Sequence, residues 1–213
     1  MNVDSIIFDL DGTLWDSTRV VVKAWAKVLS DNKEIRTPVT LEVLQSLMGM
    51  QVPEIGNKLF PYLEKTEQIK IMNLCCEEER KLLLGEGGVL YPDLEDVLQT
   101  LSQIYSLFIV SNCQNGYIET FLEYHKLGKY FKDIECAGNT GFSKGENIRA
   151  IMNKHNLKSS VYLGDTQGDC DAAKLANIPF IFANYGFGKV KSYDYVIKNI
   201  GDLLEILTNT VNS

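Results

Sequence analysis

Residues 5–13, SIIFDLDGT, open as a buried strand and end in acid. Ile6, Ile7 and Phe8 are apolar and β-prone, and Asp9 and Asp11 follow with Leu10 between them. Side chains alternate along a strand, so a strand that persists to Asp11 puts both carboxylates on one face and Leu10 on the other. Like charges that close repel, and little water reaches a strand end to screen them. The rest of the chain has to offset that repulsion.

Three further runs resemble 5–9: SLFIVS at 106–111, SVYLG at 160–164 and PFIFA at 179–183, with a weaker one at 133–137. Their hydrophobicity is continuous rather than alternating, as expected for strands covered on both faces of a parallel sheet. Helical patterns over 93–104, 114–126, 144–155, 168–177 and 200–209 separate them. Strand alternating with helix predicts an α/β fold, a doubly wound, Rossmann-like parallel sheet with right-handed crossovers.

Between the first two strands, Leu14 to Leu84 is helical in pattern and offers no strand candidate. Val20, Ala24 and Val28 form one amphipathic stripe, and Ile69, Met72, Leu74 and Cys75 another. About seventy residues is far more than a crossover needs. The reading is an inserted α-helical cap subdomain over 15–86, with a core of 1–14 and 87–213 and a glycine hinge at 85–88 (GEGG). Extra helices on one face of a single domain would be the alternative.

The 213 residues are 45% hydrophobic and 23% charged, ordinary for a globular protein. No apolar run approaches the ~20 residues that span a bilayer, and no secretory signal is visible. Five cysteines in no Cys-x-x-Cys pair argue against a zinc site or disulfide framework and point to the cytoplasm. A net charge of −7 without a Lys/Arg cluster argues against nucleic-acid binding. An acidic protein handling an anionic substrate needs a local positive source.

Ligands of open α/β sheets bind where strands reach their carboxyl ends. There the sequence places Asp9, Asp11 and Thr13, then Ser111 and Asn112, then Lys144 at a helix start, then Asp165 and Asp169. Four carboxylates share a site at neutral pH only if something offsets them. Lys144 supplies one charge, and Mg²⁺ two more. Mg²⁺ takes oxygen ligands and binds one or two carboxylates with substrate phosphate, which suits Asp9 and Asp165. An aspartate is also a competent nucleophile toward phosphorus, and a second carboxylate can serve as acid and base.

These four segments, DLDGT at 9–13, Ser111-Asn112, Lys144 and Gly164-Asp165 with Asp169, resemble in order the motifs of the haloacid dehalogenase-like superfamily. The helical insertion after the first motif resembles the cap of its phosphoglycolate phosphatase and β-phosphoglucomutase subgroup. The resemblance implies a Mg²⁺-dependent phosphatase for a small phosphorylated metabolite, working as a monomer or homodimer without nucleic acid or membrane. It implies Asp9 as nucleophile and metal ligand, and Asp11 as general acid/base with its backbone carbonyl on the metal. Ser111 and the backbone around Asn112 would bind the phosphoryl group, and Lys144 would neutralise charge beside Asp9. Asp165 would be a metal ligand, and Asp169 would act at the metal directly or through water. The expected sets are thus catalytic Asp9, Asp11 and Lys144; substrate-binding Thr13, Ser111, Asn112 and Lys144; and metal Asp9, Asp11, Asp165 and Asp169.

Two departures from the family pattern stand out. Lys144 is followed by Gly145 where many relatives carry proline, and the position near Val21 holds valine where the mutases carry a cap histidine. The second favours hydrolysis over a sugar-phosphate mutase. A dehalogenase lacks the acid at position 11. A phosphorelay receiver or other non-enzymatic binding module is the reading from another class, but a receiver has no such insertion. Asp165 to Ala176 fails the EF-hand pattern, and Gly186-Phe-Gly188-Lys189 lacks the spacing of a phosphate or dinucleotide loop. His125 and His155 read as exposed, Asp171 as a solvated first-turn acid, Trp15 and Trp25 as packing residues, and Cys113 as a buried small residue ahead of the alternative that it approaches substrate. Specificity is expected from residues 47–54 (LMGMQVPE), with Arg19, Lys23 or Lys58 as cations for a second anionic group.

Overall fold

The computed structural model describes residues 3–32, 34–36 and 38–208. The chain enters through β1 (Ser5–Phe8) and β2 (Trp15–Asp16), then runs through helices α1 (Thr18–Ser30), α2 (Leu41–Gln45), α3 (Val52–Leu59) and α4 (Lys65–Glu86). It returns through β3 (Val89–Leu90), α5 (Leu94–Ser102), β4 (Ser106–Ser111), α6 (Tyr117–His125), β5 (Phe131–Cys136), α7 (Ala137–Thr140) and α8 (Lys144–Lys154). It finishes with β6 (Ser160–Gly164), α9 (Gln167–Ala176), β7 (Phe180–Ala183), β8 (Tyr195–Ile197) and α10 (Asp202–Thr208).

Six strands form a parallel sheet in the order β5-β4-β1-β6-β7-β8. The chain moves outward from β1 to β4 and β5, then returns to lay β6 on the other side of β1. The order therefore reverses between β1 and β6, and the crevice at their carboxyl ends is where such sheets bind ligands. The sequence puts Asp9 at one lip and Asp165 at the other.

Alternation explains the continuous apolar runs. Ile6 and Phe8 face one core cluster with Leu107, Ile109, Val161 and Leu163. Ile7 faces a second cluster with Phe108, Val110 and Tyr162, under α8 and α9. Every residue of β1 is buried, and Ile6, Ile7 and Phe8 each contribute on the order of 1.5–3 kcal/mol of burial to one face or the other.

The short strands were not expected. Trp15–Asp16 pairs antiparallel with Val89–Leu90, so the helical insertion leaves and rejoins the sheet domain through a two-stranded neck. A two-residue strand leaves no periodicity to read. Trp15 is fully buried there against Tyr117, Phe121 and His125, with ring centroids 5.8, 5.0 and 5.7 Å away. The glycines expected as a hinge end α4: Gly85 and Glu86 are helical, and Gly87 caps the helix at φ +68°. Strand β8 also escaped notice, because Tyr195 and Val196 are exposed at the sheet edge.

The insertion's helical stripes are rotated from the expected phase. Ile69 and Leu74 are exposed, and α4 buries Gln68, Ile71, Met72, Cys75, Glu79 and Leu83 instead. In α1 the buried side chains are Thr18, Val21, Ala24, Trp25 and Leu29. The last residue of the helix expected over 200–209 lies outside the described residues.

Candidate active site

Strand β1 ends at Phe8, and the chain turns before Asp9 and Asp11 can share a face. Asp9 stays beside β6, its N–H donating to the Leu163 carbonyl at 2.8 Å. Its Oδ1 accepts from Lys144 Nζ at 2.8 Å, and the same ammonium reaches Asp169 Oδ1 at 2.5 Å. Lys144 opens α8, where Ser143 and Glu146 form a capping box that fixes the helix start. Asp169 is set just as locally. It is the third residue of α9, and its Oδ2 accepts from the Asp165 and Thr166 N–H groups and the Thr166 hydroxyl.

Asp165 is fully buried, and its Oδ2 accepts from the N–H groups of Phe187 and Gly188 at 2.7 and 3.3 Å. The Gly186-Phe-Gly188 segment, discounted as a phosphate loop, is thus the cradle of this carboxylate. Two glycines make room for it. A Cβ on Gly12, at φ +82°, would lie 2.3 Å from Asp165 Oδ2, and one on Gly186 would lie 2.3 Å from Asp165 Cβ. The other oxygen, Oδ1, is buried without a hydrogen-bond partner.

Asp9, Asp165 and Asp169 offer oxygens all within 4.8 Å of one another. Three acids face one lysine. Burial, then the Asp169 charge, raises the Asp9 pKa, with Lys144 opposing. Burial and the charges of Asp169 and Asp9 push Asp165 well above the carboxylate range. Burial alone would lower Lys144, but Asp169 and Asp9 outweigh it and hold it above its ordinary value. Hard oxygen donors, excess negative charge and an unpartnered Asp165 oxygen fit a divalent cation such as Mg²⁺.

Asp11 is directed elsewhere. The Ser17 hydroxyl donates to its Oδ1 at 2.6 Å, and the Tyr117 hydroxyl lies 3.0 Å from that oxygen and 2.8 Å from Ser17 Oγ. Burial raises its pKa to about 6 against these hydrogen bonds. Its carboxylate is not part of the acid cluster formed by Asp9, Asp165 and Asp169.

Asp9 and Asp11 also line a cavity of about 60 Å³ between the sheet domain and the insertion. Ser111 and Asn112 line it from the end of β4, and Leu47, Met48, Gly49, Met50 and Val52 from the insertion. Asn112 Nδ2 donates across the cleft to the Gly49 carbonyl at 2.8 Å. Thr13, expected at the substrate, is fully buried with its hydroxyl unpartnered, and it is not in this wall. The turn that frees Asp11 carries Thr13 inward, where its carbonyl accepts from Tyr185. Arg19, Lys23 and Lys58 are exposed, away from the cavity, and Lys23 pairs with Glu86.

Other residues depart from expectation. His125 packs among aromatic rings rather than standing in solvent, and His155 pairs with Asp133 at 2.7 Å beside Phe108. Cys113 lines the cavity, and burial holds its thiol well above the ordinary range. Ser17, Tyr117 and Glu79 belong to the site but were missed. For Glu79 a signal existed: a carboxylate at helical spacing from Ile71, Met72, Cys75 and Leu83 interrupts an apolar face.

The haloacid dehalogenase-like hydrolase family model matches residues 6–183, and the chain belongs to that family. The phosphoglycolate phosphatase of Aliivibrio fischeri is 29% identical over 87% of this chain and 86% of its own length. The phosphoglycolate phosphatase of Aquifex aeolicus is 26% identical over 97% of each. A haloacid dehalogenase-like family hydrolase of known structure from Streptococcus pneumoniae superposes with a TM-score of 0.81 at 21% identity, over 97% of this chain and 99% of that one. Among the described residues no helix is long and apolar enough to cross a membrane.

Proposed function

We propose that this protein is a Mg²⁺-dependent phosphomonoester hydrolase, acting on a small phosphorylated metabolite through an aspartyl-phosphate at Asp9. One observation carries the reading: Asp9 belongs both to the acid cluster and to the cavity wall. It is where a group held by the cluster meets a ligand held by the cavity. Relatives named phosphoglycolate phosphatase support the reaction class.

Asp9 attacks phosphorus, and the ester oxygen leaves with the proton of Asp11. Asp11 then takes a proton from water as that water attacks the phosphorus of the aspartyl-phosphate, breaking its bond to the Asp9 oxygen and releasing phosphate and free Asp9. Lys144 orients Asp9 and favours its anionic form against the burial and Asp169 charge that oppose it. Ser111 and Asn112 stand in the cavity wall where the phosphoryl oxygens are held. Asp9, Asp165 and the Asp11 carbonyl would hold Mg²⁺, which would supply positive charge to the transferring group. Asp169, with both oxygens already engaged, acts there through water or by positioning Lys144.

Residues 15–86 act as a cap over a core of 1–14 and 87–213, with substrate selection in the loop 47–54. Val21, buried in the cavity wall, cannot move a proton, which favours hydrolysis over the mutase reaction. Five free cysteines fit a cytoplasmic enzyme. The test is hydrolysis of an aryl phosphate with and without Mg²⁺ by wild type, Asp9→Asn and Asp11→Asn. Wild type should turn over only with the metal, and both variants should lose at least about a hundredfold in kcat. Full activity in Asp9→Asn would overturn the assignment.

A further inference from the structure

Helix α4 carries one side chain that this chemistry leaves unused. Glu79 is 4% exposed and stands in the same cavity wall as Asp9 and Asp11. No cation meets it. Its Oε2 accepts from the Trp25 indole N–H at 2.6 Å, and its Oε1 from the Gln114 amide at 2.6 Å. Burying a carboxylate without a counter-charge is costly, and leucine or methionine would continue the apolar stripe at no such cost. Each carboxylate oxygen has two lone pairs. Trp25 and Gln114 use one on each oxygen, which leaves acceptor capacity at the cavity wall.

Away from the reacting end the wall is apolar at Val21, Leu44, Leu47, Met50 and Ile55, and its described residues include no Lys, Arg or His. Arg80 follows Glu79 in sequence, but successive helical residues point about 100° apart. It lines the neighbouring cavity, with its guanidinium against Gly116 at the start of α6. A leaving group in the first cavity thus meets the Glu79 carboxylate and, among the described lining residues, no counter-ion for an anion.

We infer that Glu79 is a specificity-determining residue of this cavity beside the loop 47–54: it accepts a hydrogen bond from a hydroxyl or ammonium group on the substrate's leaving group and disfavours leaving groups that carry a second anion. The inference rests on the phosphatase reading and narrows its substrate class. A carboxylate on the leaving group would lie beside Glu79 in a low-dielectric space, where like charges are discriminated against strongly. This chain would then differ in substrate from the phosphoglycolate phosphatases it resembles.

The experiment compares kcat/KM for ethyl, hydroxyethyl and aminoethyl phosphate and phosphoglycolate, each normalised to ethyl phosphate, in wild type and Glu79→Gln, with an aryl phosphate as control. Wild type should favour the hydroxyl and amino esters roughly tenfold or more over ethyl phosphate and place phosphoglycolate last. Glu79→Gln should collapse the aminoethyl preference and raise the relative rate on phosphoglycolate. If the variant does not fold, the wild-type ranking decides. A wild type that prefers phosphoglycolate, or a variant that lowers all four esters by one factor, overturns the inference while leaving the phosphatase reading intact. Inertness of wild type toward every ester, the aryl phosphate included, overturns both.

Discussion

Asp9 and Asp11 are two residues apart, yet they hand their carboxylates to different parts of the molecule. Asp9 takes Lys144 from α8 at 2.8 Å, and Asp11 takes the Ser17 hydroxyl from the neck of the insertion at 2.6 Å. The turn at Gly12 separates two acids that an unbroken strand would have crowded together. Their environments differ accordingly: one has a fixed ammonium beside it, the other neutral hydroxyl donors. Lys144 opposes the rise that burial and Asp169 impose on Asp9, while Asp11, raised by burial to about 6, is placed to exchange a proton.

The Asp11 arrangement predicts the effect of loosening it. Ser17→Ala should cut kcat roughly tenfold, because Asp11 would lose its closest fixed donor and sample unproductive rotamers. Stability should fall by only about 1 kcal/mol. Steady-state kinetics on an aryl phosphate and a urea melt separate the two. Unchanged kcat would mean that the hydroxyl does not position the acid.

Asp165→Asn tests the acid cluster from the metal side. Neutralising one of three buried acids should raise the melting temperature of the metal-free protein, since Asp165 is held well above its ordinary pKa by burial and its neighbours. In wild type, Mg²⁺ at about a hundred times its Kd should add about 2.7 kcal/mol of stability. The variant should lose that response along with most of its activity. Calorimetry with and without Mg²⁺ checks both halves.

Gly12→Ala should be disproportionately harmful for one methyl group. The backbone there is at φ +82°, and the new Cβ would meet Asp165 Oδ2 at 2.3 Å. A loss of at least about 1–3 kcal/mol is expected from the backbone conformation alone. Displacement of Asp165 should also weaken Mg²⁺ binding, measurable by calorimetric titration. A Gly12→Ala protein with wild-type stability and affinity would contradict this packing.

Glu79 gives a pH signature in stability. Burial raises its pKa from the ordinary 4.5 to about 7, against the hydrogen bonds from Gln114 and Trp25. Between those values the folded state binds more protons than the unfolded one, so stability falls as pH rises. The contribution is fully present below pH 4.5 and lost as pH passes through about 7. Relative to wild type, Glu79→Gln should therefore gain on the order of 3 kcal/mol between pH 4 and 8. Parallel denaturant midpoints for the two proteins across that range would count against it.

How much of this was readable in the sequence follows from how each feature is encoded. The sheet was legible because both its faces are buried, which writes β1, β4, β6 and β7 as unbroken apolar runs. Asp9, Lys144, Asp165 and Asp169 were legible as polar residues at the ends of those runs or at helix starts. The rotation of α4 was not, because Ile69 and Leu74 are as apolar as the residues it buries. Phase errors of that kind hide a buried acid, and Glu79 was missed for this reason. The Asp165 cradle was hidden differently. Gly186 to Gly188 touch Asp165 through backbone N–H groups, and a sequence does not display where its amides point.

Three carboxamides reach between the insertion and the sheet domain: Asn112 to the Gly49 carbonyl, Gln114 to Glu79, and Gln51 to the Phe142 carbonyl. Amide donors keep their dipoles at any ionic strength and across the whole working pH range. A clasp built from lysine and glutamate would loosen in salt, with a screening length of about 10 Å at 0.1 M. Here the donors are neutral, so how tightly the insertion sits on the sheet domain should be nearly indifferent to salt. Salt that slows turnover would then be acting on the charged substrate and on the metal, and its effect would report on the chemistry rather than on the clasp.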